Sequence, residues 1–141
     1  MKTKILKINP QKIDLARIKM AAEEIKKGNL VAFPTETVYG LGADAFNEQA
    51  ITKIFQAKGR PFNDPLITHI ADIKELYKLS KQIPPVALKL AKAFWPGPLT
   101  LVLKKSELVS DIITAGLDSV AVRMPADNIA LSLIREAQTP I

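Results

Sequence analysis

Apolar residues recur along this chain at two spacings, and the switches between them set the expected elements. Residues 3–8 alternate polar and apolar, which predicts a short strand. Leu15, Ile18, Ala22 and Ile25 follow at helical spacing, with Asp14 placed to cap that helix and Gly28-Asn29 to stop it. Leu30-Val31-Ala32-Phe33 reads as a buried strand ended by Pro34, and residues 35–42 as a polar, glycine-containing loop. Asn47 caps a second predicted helix to residue 57, with Ala50, Ile51, Ile54 and Phe55 facing inward and Gly59 ending it. A loop over 60–65 leads into a strand at 66–70. Residues 72–79 predict a short helix, Pro84-Pro85 opens the next over 86–94, and Trp95-Pro96-Gly97-Pro98 makes a turn. Strands at 99–103 and 120–122 come next, and Asp127 caps a last helix through residue 137.

Strands alternate with helices throughout, so the expected class is α/β with at least some parallel pairing. Neither a repeat nor a linker interrupts the 141 residues, which predicts one domain. Thr139-Pro140-Ile141 reads as the entry to a further strand.

Composition narrows the chemistry. The chain has no cysteine, which excludes disulfides, thiolate catalysis and thiolate metal sites. One histidine, His69, excludes a multi-histidine zinc site. Apolar runs such as 99–103 are too short to span a bilayer, and no signal-peptide pattern follows the basic N-terminus, so a cytoplasmic location is expected. The net charge of +6 is uneven: residues 1–30 hold eight Lys/Arg against three Asp/Glu. That excess favours polyanions, and serves equally as a solvated helix face with a basic tail.

No Walker A loop or full dinucleotide fingerprint is present, and no serine lies in a nucleophile elbow to complete a triad with His69. Four segments carry candidate chemistry. Pro34-Thr35-Glu36-Thr37-Val38-Tyr39-Gly40-Leu41-Gly42 leaves a strand with two hydroxyls and a carboxylate, able to read an amine or a carboxylate; it is also readable as a simple turn. Lys58-Gly59-Arg60-Pro61 puts two cations at a helix exit, suited to phosphate or to the helix dipole. His69 lies in Leu66-Ile67-Thr68-His69-Ile70, on the opposite face from Thr68 and Ile70. Arg123 ends Val120-Ala121-Val122, as a carboxylate anchor or as a partner for the Asp127 region. Phe94 and Trp95 read as core.

In this order and spacing, the blocks Pro-Thr-Glu-Thr-Val-Tyr-Gly-Leu-Gly, Lys-Gly-Arg-Pro, Pro-Leu-Ile-Thr-His, Trp-Pro-Gly-Pro-Leu-Thr and Val-Ala-Val-Arg-Met-Pro resemble the YrdC-like family of L-threonylcarbamoyladenylate synthases. The resemblance spans most of the chain. It implies a twisted mixed sheet flanked by helices, with a basic concave face. It implies an enzyme that makes threonylcarbamoyl-AMP and pyrophosphate from L-threonine, bicarbonate or CO2, and ATP with Mg²⁺, by positioning rather than covalent catalysis. The product would serve a separate transferase that modifies an adenosine of tRNA. Carried over by position, Thr37, His69 and Arg123 match the L-threonine contacts. Lys58 and Arg60 match the positions that hold ATP phosphates, Ser119 stands where the family often has a threonine near the nucleotide, and Asn63 or Asp64 would serve at the ATP position usually held by Asn.

Two departures stand out. The family usually has Asn before the Pro-Leu that leads to the histidine, where this chain has Asp64, with Asn63 one residue earlier. A carboxylate there repels polyphosphate unless a cation intervenes, so either Asn63 takes over or Asp64 helps hold the metal. The family also continues into a Ser-x-Asn segment that contacts ATP, so this chain reads as a catalytic domain incomplete at its C-terminal end. Competing readings are a module of the same fold that binds tRNA or double-stranded RNA without synthesis, and a related carbamoyl-handling domain of a larger enzyme.

Overall fold

A computed structural model describes residues 3–141. Helix α1 (Leu15–Lys26) starts at Asp14, whose side chain accepts from the Ala16 and Arg17 N–H groups, and buries Ile18, Ala22 and Ile25. Strands β1 (Val31–Phe33) and β2 (Gly40–Gly42) pair antiparallel as a separate hairpin. Helix α2 (Glu48–Lys58) is capped by Asn47 and ended by Gly59 at φ 58°, a left-handed position that suits glycine. Strand β3 (Ile67–His69) is followed by a 3-10 turn at Ile73–Glu75, helix α3 (Leu76–Leu79), strand β4 (Ser80–Gln82) and helix α4 (Pro85–Phe94). Strand β5 (Leu101–Lys105), the short helix α5 (Asp111–Thr114), strand β6 (Ser119–Arg123) and helix α6 (Asn128–Ala137) complete the order.

The main sheet runs β3-β6-β5-β4. Only β3 and β6 are parallel; β6–β5 and β5–β4 are antiparallel. Strand alternation gives this sheet two unlike faces. Thr68, Leu101, Leu103, Val120 and Val122 are buried on one face, and the apolar ones join Phe55, Leu76, Leu79, Ala87 and Ala91 from α2, α3 and α4 in the main core. Ile67, His69, Val102, Lys104, Ser119, Ala121 and Arg123 share the other face, where Val102 is 65% exposed. A second core joins α1 and α6 through Ala22, Ile25, Ala130, Leu133 and Ile134, and reaches Phe33 and Ile141. Among the described residues no helix is long and apolar enough to cross a membrane.

Several expectations are corrected. Residues 3–8 form no strand, because no neighbouring ladder accepts their alternation; the nearest pairing is an isolated bridge, Asn9 to Lys12. The expected loop at 35–42 contains β2, so β1 belongs to a hairpin and Ala32 faces outward. The strand expected at 99–103 lies at Leu101–Lys105, because Leu99 O is taken by the Trp95 indole N–H at 2.7 Å. Trp95 packs on the core as expected, but Phe94 is 57% exposed. At Thr139-Pro140-Ile141, read as the entry to a further strand, Ile141 and His69 exchange both main-chain hydrogen bonds, at 2.7 and 3.0 Å, without a named strand forming.

Candidate functional site

Two parallel strands end side by side at the open face. His69 closes β3, Arg123 closes β6, and the two are register partners, so their side chains leave the sheet on the same side. The loop of the β1–β2 hairpin reaches the same place. Thr35 folds this loop: its hydroxyl accepts from the N–H groups of Thr37 and Val38 at 3.2 and 3.1 Å and donates to Val38 O at 2.5 Å. That turn aims Glu36 and Thr37 at Arg123. The guanidinium donates from Nη1 and Nη2 to Thr37 Oγ1 at 3.3 and 3.4 Å, and from Nε to Gly97 O at 3.2 Å. Nη2 also pairs with Glu36 Oε1, and Glu36 Oε2 accepts the Ala126 N–H. Arg123 is therefore not paired with the Asp127 region, because Asp127 is engaged in capping α6 through the Ala130 N–H at 2.9 Å.

The Arg123 side chain is 11% exposed, and burial lowers its pKa from the usual arginine value, which leaves it a cation near neutrality. Gly97 is fixed by its own N–H, which donates to Met124 O at 2.8 Å. Thus the Trp-Pro-Gly-Pro turn orients the arginine from one side and the hairpin loop holds it from the other.

His69 stands edge-on to Phe33, with ring centroids 5.8 Å apart. The Phe33 ring in turn covers β2: a Cβ on Gly40 would lie 3.1 Å from its Cζ, and one on Gly42 2.7 Å from its Cε1. Burial lowers the His69 pKa, and a main-chain hydrogen bond with Ile67 opposes this more weakly. The imidazole is then neutral near pH 7, able to accept from an amine. This has a sign in stability. Below the unfolded histidine pKa of about 6.5 the unfolded chain binds a proton that the native chain resists. Stability is therefore expected to fall as pH drops below about 6.5 and to show no His69 contribution above it. Thermal unfolding from pH 5 to 8 tests this: the acid slope should shrink in His69→Gln, and equal slopes in both proteins would rule out the assignment.

The end of α2 and the segment that links it to β3 carry the candidates Lys58, Arg60, Asn63 and Asp64. Arg60 turns back onto its own loop, donating to Pro65 O at 2.7 Å and lying 2.8 Å from Asp64 Oδ2. Its Nε–H is shielded from solvent yet not aimed at that carboxylate, so a donor is left unsatisfied. Phe62 stacks on Phe55 at 4.7 Å and pins the loop to α2. Lys58 is exposed, and neither it nor Asn63 makes a side-chain hydrogen bond among the described residues. Ser119 lies on the same face as Arg123 but at the opposite end of β6, four residues or about 13 Å away.

The structure thus brings the Thr37 hydroxyl onto Arg123 and sets His69 beside Arg123 as its register partner; it puts Lys58 at the end of α2, Arg60, Asn63 and Asp64 on the loop leading into β3, and Ser119 at the far end of β6. Glu36, Gly97 and Phe33 adjoin these side chains; Glu36 lies within a candidate segment, whereas Gly97 and Phe33 read only as turn and strand. The signal for Glu36 was a carboxylate set between two threonines just after a strand; its partner was not readable.

The model of the Sua5/YciO/YrdC family, described as telomere recombination, matches residues 23–141. The chain is 60% identical over 131 residues to a threonylcarbamoyl-AMP synthase of Pyrococcus abyssi, an alignment covering 93% of this chain and 38% of that protein. It is 53% identical over 126 residues to a threonylcarbamoyl-AMP synthase of Bacillus subtilis, covering 89% of this chain and 36% of that one. Its fold superposes on a crystal structure of P. abyssi Sua5 complexed with L-threonine with TM-score 0.91 and 60% identity, over 92% of this chain and 38% of the other. The chain therefore spans less than two fifths of the length of these relatives. With a family model matching from the last turn of α1 to Ile141 and a fold to match, the chain belongs to the Sua5/YciO/YrdC family.

Proposed function

We propose that this chain carries the L-threonine pocket and part of the ATP site of a threonylcarbamoyl-AMP synthase. The observation behind the reading is the meeting of a hydroxyl, an imidazole and a guanidinium at one end of the sheet. Similarity to proteins named as such synthases supports it. Arg123 would grip the threonine carboxylate through its planar fork, beside the Thr37 hydroxyl, while neutral His69 accepts from the amine. The amine forms an N–C bond to CO2 and gives up a proton, which yields a carbamate. A carbamate oxygen then attacks the α-phosphorus of ATP; the α–β bridging P–O bond breaks and pyrophosphate leaves with the electron pair. No side chain needs to become a covalent nucleophile, so rate comes from alignment and charge neutralisation.

ATP would approach the loop of Lys58, Arg60, Asn63 and Asp64 with its phosphates and lie across the open face toward Ser119. It enters as its Mg²⁺ complex. Among the described residues no three Asp, Glu or His side chains gather to cage a metal. Mg²⁺ needs no such cage, since phosphate oxygens and one or two carboxylates suffice. Asp64, exposed beside Arg60, is the carboxylate that fits. The product, a mixed anhydride, suits a separate transferase acting on an adenosine of tRNA.

Pyrophosphate release with ATP, bicarbonate and single amino acids tests the reaction. Threonine should stimulate release well above serine or glycine, and equal rates would sink the substrate assignment. Lys58→Ala is expected to weaken ATP binding by about 1.5–3 kcal/mol through loss of a charged hydrogen bond. Unchanged ATP affinity would remove this loop from the phosphate site.

A second reading, an RNA-binding module without synthesis, is favoured by the excess of eight cations over three anions in residues 1–30. RNA affinity that falls steeply as salt rises from 50 to 200 mM, at about the slope set by phosphate contacts, would support it. Salt-insensitive binding would end it.

A further inference from the structure

A guanidinium has five N–H groups, and in Arg123 most of them are already directed. Nε–H goes to Gly97 O, Nη2 reaches Glu36, and the Nη1–Nη2 edge is crossed by a single oxygen, Thr37 Oγ1. The two Thr37 contacts are long, at 3.3 and 3.4 Å, whereas charge-assisted bonds are usually about 2.7–2.9 Å. One hydroxyl oxygen stands where a carboxylate would bring two.

Glu36 is held differently. Its second oxygen is tied to the main chain at Ala126, where the chain turns into α6. Thr35 closes the turn over both residues, and Thr37 Oγ1 lies 3.1 Å from Thr35 Oγ1, so the tie to the Ala126 N–H is what sets Glu36 apart. Both side chains of the ion pair are largely withdrawn from water, at 11% and 23% exposure. A guanidinium so placed requires a counter-ion when no ligand is bound, and Glu36 is the carboxylate that meets it.

From this contrast we infer that Glu36 is a positioning residue of the amino-acid pocket: it holds the Arg123 guanidinium so that the Nη1–Nη2 edge, crossed only by the Thr37 hydroxyl, is offered to a ligand's carboxylate. The inference rests on the reading of Thr37, His69 and Arg123 as an amino-acid pocket. Glu36 stays in place when the ligand binds, and Thr37 is the group that yields. The opposite arrangement, with Glu36 as a stand-in that the ligand's carboxylate expels, predicts effects of opposite sign.

The test uses Glu36→Gln and Glu36→Ala in the 141-residue chain. One readout needs no substrate: modification of Arg123 by phenylglyoxal, followed by peptide mass mapping, with exposed Arg135 as internal control. Loss of the carboxylate should speed labelling of Arg123 several-fold in Glu36→Ala and leave Arg135 unchanged. The other readout is calorimetric titration with L-threonine and, separately, with ATP. Threonine affinity should fall about tenfold or more in Glu36→Ala and less in Glu36→Gln, which keeps an acceptor for Arg123, while ATP affinity stays constant. Tighter or unchanged threonine binding in both variants overturns the inference. So does unchanged Arg123 labelling, or a parallel loss of threonine and ATP affinity, which marks a merely structural role. If the unsubstituted chain binds no threonine, the amino-acid reading fails by itself, and labelling still decides whether Glu36 holds Arg123.

Discussion

Arg123→Ala is expected to abolish measurable L-threonine binding while leaving ATP affinity intact. Truncating one member of a buried, hydrogen-bonded charge pair costs about 2–5 kcal/mol in binding, a loss of roughly 30-fold to several thousand-fold. The substitution also acts on the fold. It strands Glu36 without its cation and leaves Gly97 O and Thr37 Oγ1 without a donor. Removing one partner of a fully buried pair costs about 3–5 kcal/mol, and the 23% exposure of Glu36 brings the expectation here to about 2–3 kcal/mol. A second protein separates the two effects. Arg123→Met combined with Glu36→Gln should recover part of the stability, since no charge is then left unpaired, yet bind no threonine. Calorimetric titration and thermal unfolding of both proteins check this; threonine binding by either would remove Arg123 from the pocket.

Gly97→Ala should have the larger effect on stability. Gly97 is buried, and a Cβ there would fall inside contact distance of the Phe94 carbonyl oxygen, which is backbone and has little room to move. Overpacking typically costs 1–3 kcal/mol, and a clash with main chain belongs at or above the top of that range. We expect about 3 kcal/mol, or a fall in Tm of roughly 10 °C. Because Gly97 O receives the Arg123 Nε–H and Gly97 N–H donates to Met124 O, a shift of this turn should also lower threonine affinity. An unchanged Tm would mean that the turn adapts and does not constrain the arginine.

Much of this architecture could be read from residue order because local chemistry determines it. Asp14, Asn47 and Asp127 cap the helices they precede, and Gly59 ends α2 in a left-handed conformation. The apolar sets of α2 and α6 face the core as their spacing requires. Features that depend on a distant partner were not legible. Residues 3–8 have the alternation of a strand but no ladder to join. Strand β2 consists of Gly40, Leu41 and Gly42, and its glycines make sense only once the Phe33 ring and Ile141 are seen lying against them. The ordered blocks single out Thr37, His69 and Arg123 as residues, but the ion pair of Arg123 with Glu36 joins segments far apart, and Asp127, nearer in sequence, is an equally reasonable partner on residue order alone. The segment between α2 and β3 adds a case closer at hand: Arg60 turns toward Asp64 and Pro65, four and five residues on, although its residue type serves equally well facing outward.

The hairpin that supplies Glu36 and Thr37 forms a sheet of its own, whereas His69 and Arg123 belong to the four-stranded one. The place where these side chains meet is therefore a seam, fastened by side chains rather than by a shared ladder. A ligand bridging that seam adds fastening of its own, and its affinity must reappear as added protection of the hairpin. Amide hydrogens between Val38 and Gly42 should exchange more slowly with threonine bound, while those of β5 and β6, locked in continuous pairing, should not respond.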